Sequence, residues 1–208
     1  MIGLDVLIPY SLIVLGFVFI PGPATLLTVA RATTSGTRVG IATGAGITAG
    51  DLVHTMMAVV GISAIIATSA MLFSIVKYLG AAYLFYLGLK ALVGSTQLDL
   101  GQGRLPITAS QAFRQAIVAE VLNPKTALFF LAFLPQFIVP ENGYVVLQLS
   151  LLGALFALIG LFSTIVYSFA AGGLGSVLRR NPTVLKWQAK AVGGIYCALG
   201  LRLLAQER

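Results

Sequence analysis

Long apolar stretches separated by short polar connectors dominate the chain. A helix that crosses a membrane needs about 20 apolar residues. Six stretches meet this length: 5–29, 39–66, 71–92, 113–138, 144–176 and 187–205. The segment 39–76 has Asp51 as its only full charge and is divided near 67–70. The fifth stretch is overlong, which predicts either a tilted helix or an interfacial turn at 172–175.

Proline motifs interrupt two of these spans. Pro21, Gly22 and Pro23 lie in the first, and Pro124 in the fourth. Because proline removes a backbone donor and clashes with the preceding turn, the chain is predicted to unwind at 20–23 and at 122–124. Unwound backbone is tolerated at membrane depth only against protein or a water-filled cavity. The half-helix after Pro23 therefore offers free N–H groups to a carboxylate. A simple proline kink is the alternative.

Two motifs recur in the same order in both halves of the chain. Lys-x-x-Gly-x-x-Tyr begins at Lys77 and again at Lys190, and "GPATLL" at Gly22 is similar to "NPKTAL" at Asn123. A duplicated three-span unit inserts upside down the second time, as in many secondary transporters. The sequence thus predicts an all-α integral membrane protein. Its single domain, 1–208, has six transmembrane helices in two inverted three-helix repeats, about 1–95 and 105–208, with helices one and four broken.

Ionisable residues inside the spans are the candidate functional groups. An ionised Asp51 at the bilayer centre costs about 2.5–3.5 kcal/mol and is expected to face the bundle interior. His54 shares its helix face, so the two hold an ammonium, relay a proton, or form a structural pair. Glu120 and Lys125 either pair across the second break, or one of them reaches the interface. The predicted proton-coupling residues are Asp51, His54 and Glu120. The predicted substrate-binding residues are Pro21, Gly22, Pro23, Ala24, Thr25, Asp51, Asn123, Pro124, Lys125 and Thr126.

Glycines crowd the second span at four-residue spacing. They form the pairs Gly40/Gly44 and Gly46/Gly50. Such spacing brings helices close together, so we expect the second span to carry Asp51 towards the broken helices. The same glycine-rich face permits a homodimer.

Composition and charge agree with a membrane protein. Hydrophobic residues make up 58% of the chain and charged residues 9%, against about 25% charged in soluble domains. The net charge of +7 resides in short connectors, where it sets topology rather than binding nucleic acid. Basic connectors stay in the cytoplasm, which predicts connectors one, three and five inside and both termini outside. One histidine with scattered carboxylates indicates neither metal nor cofactor.

Four segments resemble the LysE/RhtB family of amino-acid exporters: "PGPATLL", "GAGITAGDLVH", "KYLGAAYLFYLGLKAL" and "NPKTALFFLAFLPQF". The resemblance implies a bacterial inner-membrane protein that exports amino acids or close derivatives in exchange for protons. The motif positions that it covers are Pro21, Gly22, Pro23, Asn123, Pro124 and Lys125. Few acidic residues are available to line a pocket for lysine or arginine, which favours neutral amino acids. The alternatives are an intramembrane enzyme that uses Asp51 and His54, and an uncoupled channel or assembly subunit.

Overall fold

The computed structural model describes residues 2–19, 22–68 and 106–180, with single residues between 71 and 93 and between 190 and 201. The continuous ranges form six α-helices: α1 Leu4–Val18, α2 Pro23–Ser35, α3 Thr37–Thr68, α4 Ala109–Val121, α5 Pro124–Leu128 and α6 Val145–Arg180. A π-helix, Phe129–Phe133, continues α5, and two short 3-10 helices follow it, Leu134–Phe137 and Pro140–Asn142. No strand occurs among the described residues.

Two to four membrane spans lie within the described ranges. Thr37–Ile62 of α3 and Val145–Ala171 of α6 are long and apolar enough to cross a bilayer, with mean hydropathies of 1.4 and 2.4. Two bent helix pairs qualify if each pair is one span: α1 with α2, bent by 53°, and α4 with 124–137, bent by 46°. The protein is therefore an all-helical membrane protein, as predicted.

The arrangement of six spans in inverted halves stays a prediction. The predicted third and sixth spans, 71–92 and 187–205, lie largely outside the described residues. The fifth span is overlong as expected, but α6 runs without interruption through 172–175 to Arg180. The predicted interfacial turn is therefore wrong, because the apolar stretch continues as regular helix past its glycines.

Both proline motifs coincide with interruptions of the helices. Gly22 is extended, with φ −134° and ψ −173°, and Pro23 is the first residue of α2. Asn123 is also extended, with φ −77° and ψ 108°, and Pro124 begins α5. A proline at the first helical position is favoured because its missing N–H has no helical partner there. The interruption at 122–124 is as predicted; residues 20 and 21 of the first lie outside the described residues.

Glycines bring α3 close to two neighbours. Gly40 and Gly44 face α6, while Gly46 and Gly50 face α4. A Cβ added to Gly50 would lie 2.6 Å from the Cβ of Glu120, nearer than real Cβ contacts. The predicted close packing is therefore present, and all four glycines are used within the chain.

An aromatic cluster fills the core beside α1. Its buried members are Tyr10, Phe17, Phe129, Phe130, Phe133 and Phe156. Ring centroids of Phe17 and Phe129 lie 4.6 Å apart, and those of Phe129 and Phe156 lie 4.8 Å apart. The Tyr10 hydroxyl donates to the Leu152 carbonyl at 2.8 Å, which satisfies the polar end of a ring that α1 buries against α6. The cluster closes one side of the space between the two helix breaks.

Candidate functional site

A cavity lies between the two breaks and joins α1, α2, α3, α4, α5 and α6. It encloses about 420 Å³, including its open mouth. Its polar lining comprises Thr25, Asp51, Glu120, Asn123, Lys125, Thr126, Ser163 and Thr164, and its apolar lining includes Phe17, Val18, Ile47 and Phe156. Small-molecule sites commonly combine an apolar wall with a few convergent polar groups in this way.

Glu120 is held in place by side chains of the second break. It is 2% exposed. The Asn123 amide donates to both carboxylate oxygens at 3.2 Å, and the Thr126 hydroxyl donates to one of them. Because these bonds all point donors at Glu120, they fix its carboxyl as an acceptor at the cavity wall.

Asp51 is the other buried acid, and its surroundings differ. It is also 2% exposed, and the side chain that its carboxyl bonds among the described residues is a second acid, Glu120. It lies near enough to Glu120 for the two carboxyl groups to interact. Gly160 on α6 leaves room beside it, since an added Cβ would lie 3.3 Å from Oδ2. Two buried acids side by side are costly, and Asn123 and Thr126 donate only to Glu120. Asp51 is therefore the group in the cavity best placed to take up a cation.

The two half-helices differ at their N-termini. The α5 terminus is already capped, because Asn123 Oδ1 accepts the Lys125 N–H at 3.1 Å. The α2 terminus has Gly22 as its N-cap and therefore no side-chain acceptor. First-turn N–H groups of a helix lack intrahelical partners, so those of Ala24 and Thr25 remain available. Thr25 is buried in the cavity wall beside them. Of these two termini, the one at α2 can receive a carboxylate.

Lys125 extends from α5 to the first break. Its Nζ donates to the Phe17 carbonyl at 3.2 Å and lies 4.3 Å from the centroid of the Phe17 ring. A Cβ on Gly22 would lie 3.1 Å from the same nitrogen. This contact links the two breaks directly. The sequence predicted either a pair between Glu120 and Lys125 or a side chain that reaches the interface, and neither prediction includes it.

The remaining predicted site residues have different positions. His54 is buried but does not line the cavity, and its Nε2 bonds the Glu120 carbonyl at 2.9 Å rather than the Asp51 carboxyl. Pro124 is exposed and is also absent from the lining. Pro21 lies outside the described residues. Sequence reasoning missed Gly160, Ser163 and Thr164 of α6, because nothing local marks these small residues as facing a cavity.

The fold and the cavity together define a helical membrane protein with an internal cavity lined by polar groups. The sequence profile of the LysE type translocator family matches residues 15–207. The chain belongs to this family, as its motifs predicted. It is therefore a membrane transporter, which excludes the enzyme alternative.

Similar proteins occur in several bacteria. An uncharacterized membrane protein of Pseudomonas aeruginosa is 31% identical over 199 residues, which is 91% of this chain and 92% of the relative. One from Bacillus subtilis is 34% identical over 172 residues, or 77% and 81% of the two chains. The leucine efflux protein of Salmonella typhimurium is 34% identical over 130 residues, 61% of each chain. No solved structure matches the chain.

Proposed function

We propose that this translocator exports amino acids from the bacterial cytoplasm and that the cavity is its substrate site. One observation carries the proposal: the cavity combines two adjacent buried acids, Asp51 and Glu120, with an uncapped helix N-terminus at Ala24 and Thr25. These are the two partners that a zwitterion needs. The similarity to a leucine efflux protein supports the same substrate class.

The substrate carboxylate accepts from the first-turn N–H groups of α2 and from the Thr25 hydroxyl. The positive end of the α2 dipole adds to the attraction. The substrate ammonium lies against Asp51, with Glu120 on its other side. The positively charged Lys125 lies on the carboxylate side, where it favours the anion and disfavours a second cation.

The substrate side chain is neutral in this proposal. The apolar part of the lining is Phe17, Val18, Ile47 and Phe156. Ser163 and Thr164 lie beside it, but their hydroxyls donate to backbone carbonyls. Apolar walls of this kind favour an apolar side chain, because burying a charge there without a partner is unfavourable.

Transport is coupled to protons through the two carboxyl groups. A proton that enters from outside binds the carboxyl group of Asp51, which then no longer holds the ammonium, and the substrate leaves. Proton and substrate thus compete for one site, which is the requirement for exchange. The two inverted halves move around the breaks, so that the cavity opens to each side of the membrane in turn. Both termini lie outside. A homodimer would form through a surface other than the four α3 glycines, because these pack within the chain.

Export by Asp51→Asn tests this assignment. Purified protein is reconstituted in vesicles loaded with each amino acid in turn, and efflux is measured with and without a pH gradient. We expect the wild type to drive uphill flux of neutral amino acids, and Asp51→Asn to lose the dependence on the gradient. Asp5→Asn, at the exposed start of α1, is the matched control. Wild-type coupled rates in Asp51→Asn would contradict the assignment, and a wild type without uphill flux would favour the uncoupled channel.

A further inference from the structure

Each proline of a break leaves a carbonyl without its helical partner. Proline has no N–H, so the carbonyl four residues earlier loses its bond. At the first break, Pro23 has no N–H to offer the Phe19 carbonyl. This carbonyl accepts instead from the buried Tyr167 hydroxyl at 2.8 Å. In the same way, Pro21 has no N–H to offer the Phe17 carbonyl, which accepts from Lys125 Nζ at 3.2 Å. Side chains from other helices therefore replace the missing donors.

The second break follows the same rule, and His54 supplies the donor. Pro124 cannot donate to the Glu120 carbonyl, and His54 Nε2 of α3 bonds that carbonyl at 2.9 Å. The Asn123 N–H, also at 2.9 Å, and the Leu122 N–H donate to the same carbonyl. Buried carbonyl groups are nearly always satisfied in this way.

The chemistry of the acceptor determines which nitrogen of His54 carries hydrogen. A carbonyl oxygen only accepts, so Nε2 must be the protonated nitrogen. The ring stacks on Phe130 with centroids 5.7 Å apart. Its orientation is thus fixed by a bond at one edge and by packing on its face, away from the cavity lining.

We propose that His54 is a positioning residue for Glu120 rather than the carrier of the exchanged proton, an inference that rests on the proposed coupling at the carboxyl pair. By holding the backbone of Glu120 where α4 ends, His54 sets the direction in which the carboxyl enters the cavity. The bonds from Asn123 and Thr126 then fix the carboxyl itself. Three residues thereby keep one acid in place while Asp51 exchanges cations.

Several titratable groups surround this position. Asp51 precedes His54 by one turn on α3, Glu120 lies on α4 and Lys125 on α5, and Tyr10 of α1 lies near Asp51. A change in the pH dependence of transport can arise from any of them. The test must therefore separate loss of the Nε2 donor from loss of a titrating ring.

Two substitutions at His54 make this separation. His54→Gln keeps an N–H donor near the position of Nε2 but cannot titrate, and His54→Leu keeps neither property. With L-leucine as the probe in vesicles, we expect His54→Gln to retain the wild-type pH profile and His54→Leu to lose roughly tenfold in rate, because a buried hydrogen bond to the Glu120 carbonyl is lost. Coupling that is lost in His54→Gln while leucine exchange across the membrane continues would overturn the proposal.

Magnetic resonance tests the positioning role independently of transport. His54 is the only histidine, so protein labelled with ¹⁵N-histidine and without an affinity tag gives a single pair of ring resonances in lipid bilayers. We expect Nε2 to carry a hydrogen that is bonded to a carbonyl, and Nδ1 to gain no proton during exchange. A bare Nε2, or an Nδ1 that takes up a proton during exchange, would overturn the proposal even where His54→Leu fails to fold. If the wild type moves no amino acid, the proposed function fails, while the resonance of Nε2 still tests its bond to the Glu120 carbonyl.

Discussion

At the scale of single residues, two buried acids in one cavity have opposite environments. Glu120 accepts from Asn123 and Thr126, whereas the Asp51 carboxyl bonds only the other acid, Glu120, among the described side chains. The first arrangement stabilises the fold, and the second costs stability because two acids are buried side by side. Proteins commonly accept such a cost at functional sites.

This contrast predicts opposite effects on stability for two similar substitutions. Asp51→Asn replaces one of two adjacent buried acids with a neutral amide that can donate to the other, so we expect a higher Tm in detergent. Glu120→Gln turns an amide NH₂ towards the donors of Asn123 and Thr126, so we expect the free energy of unfolding to fall by about 1–3 kcal/mol and the Tm to fall with it.

Glu141→Gln, in the exposed 3-10 helix, is the matched control and should leave the Tm unchanged. Thermal unfolding of the three purified variants beside the wild type makes the measurement. A Tm that falls in Asp51→Asn would mean that this carboxyl has a stabilising partner, and would remove the reason for assigning it the cation.

At the scale of helices, the position of Asp51 depends on the glycines of α3. Gly50 allows α3 to approach α4 so closely that an added Cβ would lie 2.6 Å from the Glu120 Cβ and 3.3 Å from the Ile117 carbonyl. Gly61, on the same helix, has nothing within 4 Å of the corresponding position. A comparison of alanine substitutions at Gly50 and Gly61 therefore separates the effect of close packing from the effect of helix propensity.

We expect Gly50→Ala to destabilise the protein by about 1–3 kcal/mol, the usual cost of overpacking, and to reduce export by moving Asp51 away from Glu120. Gly61→Ala should be neutral or slightly stabilising, because alanine is the better helix former. Thermal unfolding and amino-acid efflux of both variants provide the measurement. Equal effects of the two substitutions would show that close contact between α3 and α4 does not set the site.

Local chemistry explains which elements were predictable. The proline motifs predicted the interruptions, and the apolar stretch 39–66 predicted α3 nearly to its ends, because both depend on residues adjacent in sequence. The partners across the breaks depend on the tertiary fold. The side chains of His54, Lys125 and Tyr167 each bond a backbone carbonyl that is far away in sequence. The separations are 66, 108 and 148 residues respectively. Helix spacing placed His54 on the face of Asp51 but could not indicate that its ring points to α4.

At the scale of the whole molecule, inverted halves require the two broken helices to enter the membrane from opposite sides. The connector after the first broken helix precedes α3, and the connector after the second contains the 3-10 helix Pro140–Asn142. If three spans separate these connectors, they lie on opposite faces of the membrane. By the positive-inside rule, Arg31 and Arg38 predict that the first connector lies in the cytoplasm.

Single cysteines in a Cys197→Ser background test this arrangement in intact cells. Glu141→Cys, in the second of these connectors, should react with a membrane-impermeant maleimide added outside. Thr37→Cys, at the start of α3, should react only after the inner membrane is permeabilised. The reverse pattern would invert the proposed orientation but keep the inverted halves, because the two sites would still lie on opposite faces. Labelling of both sites from one face would leave an even number of crossings between them. The two broken helices would then point the same way, and rocking of two inverted halves around the cavity could not move the substrate.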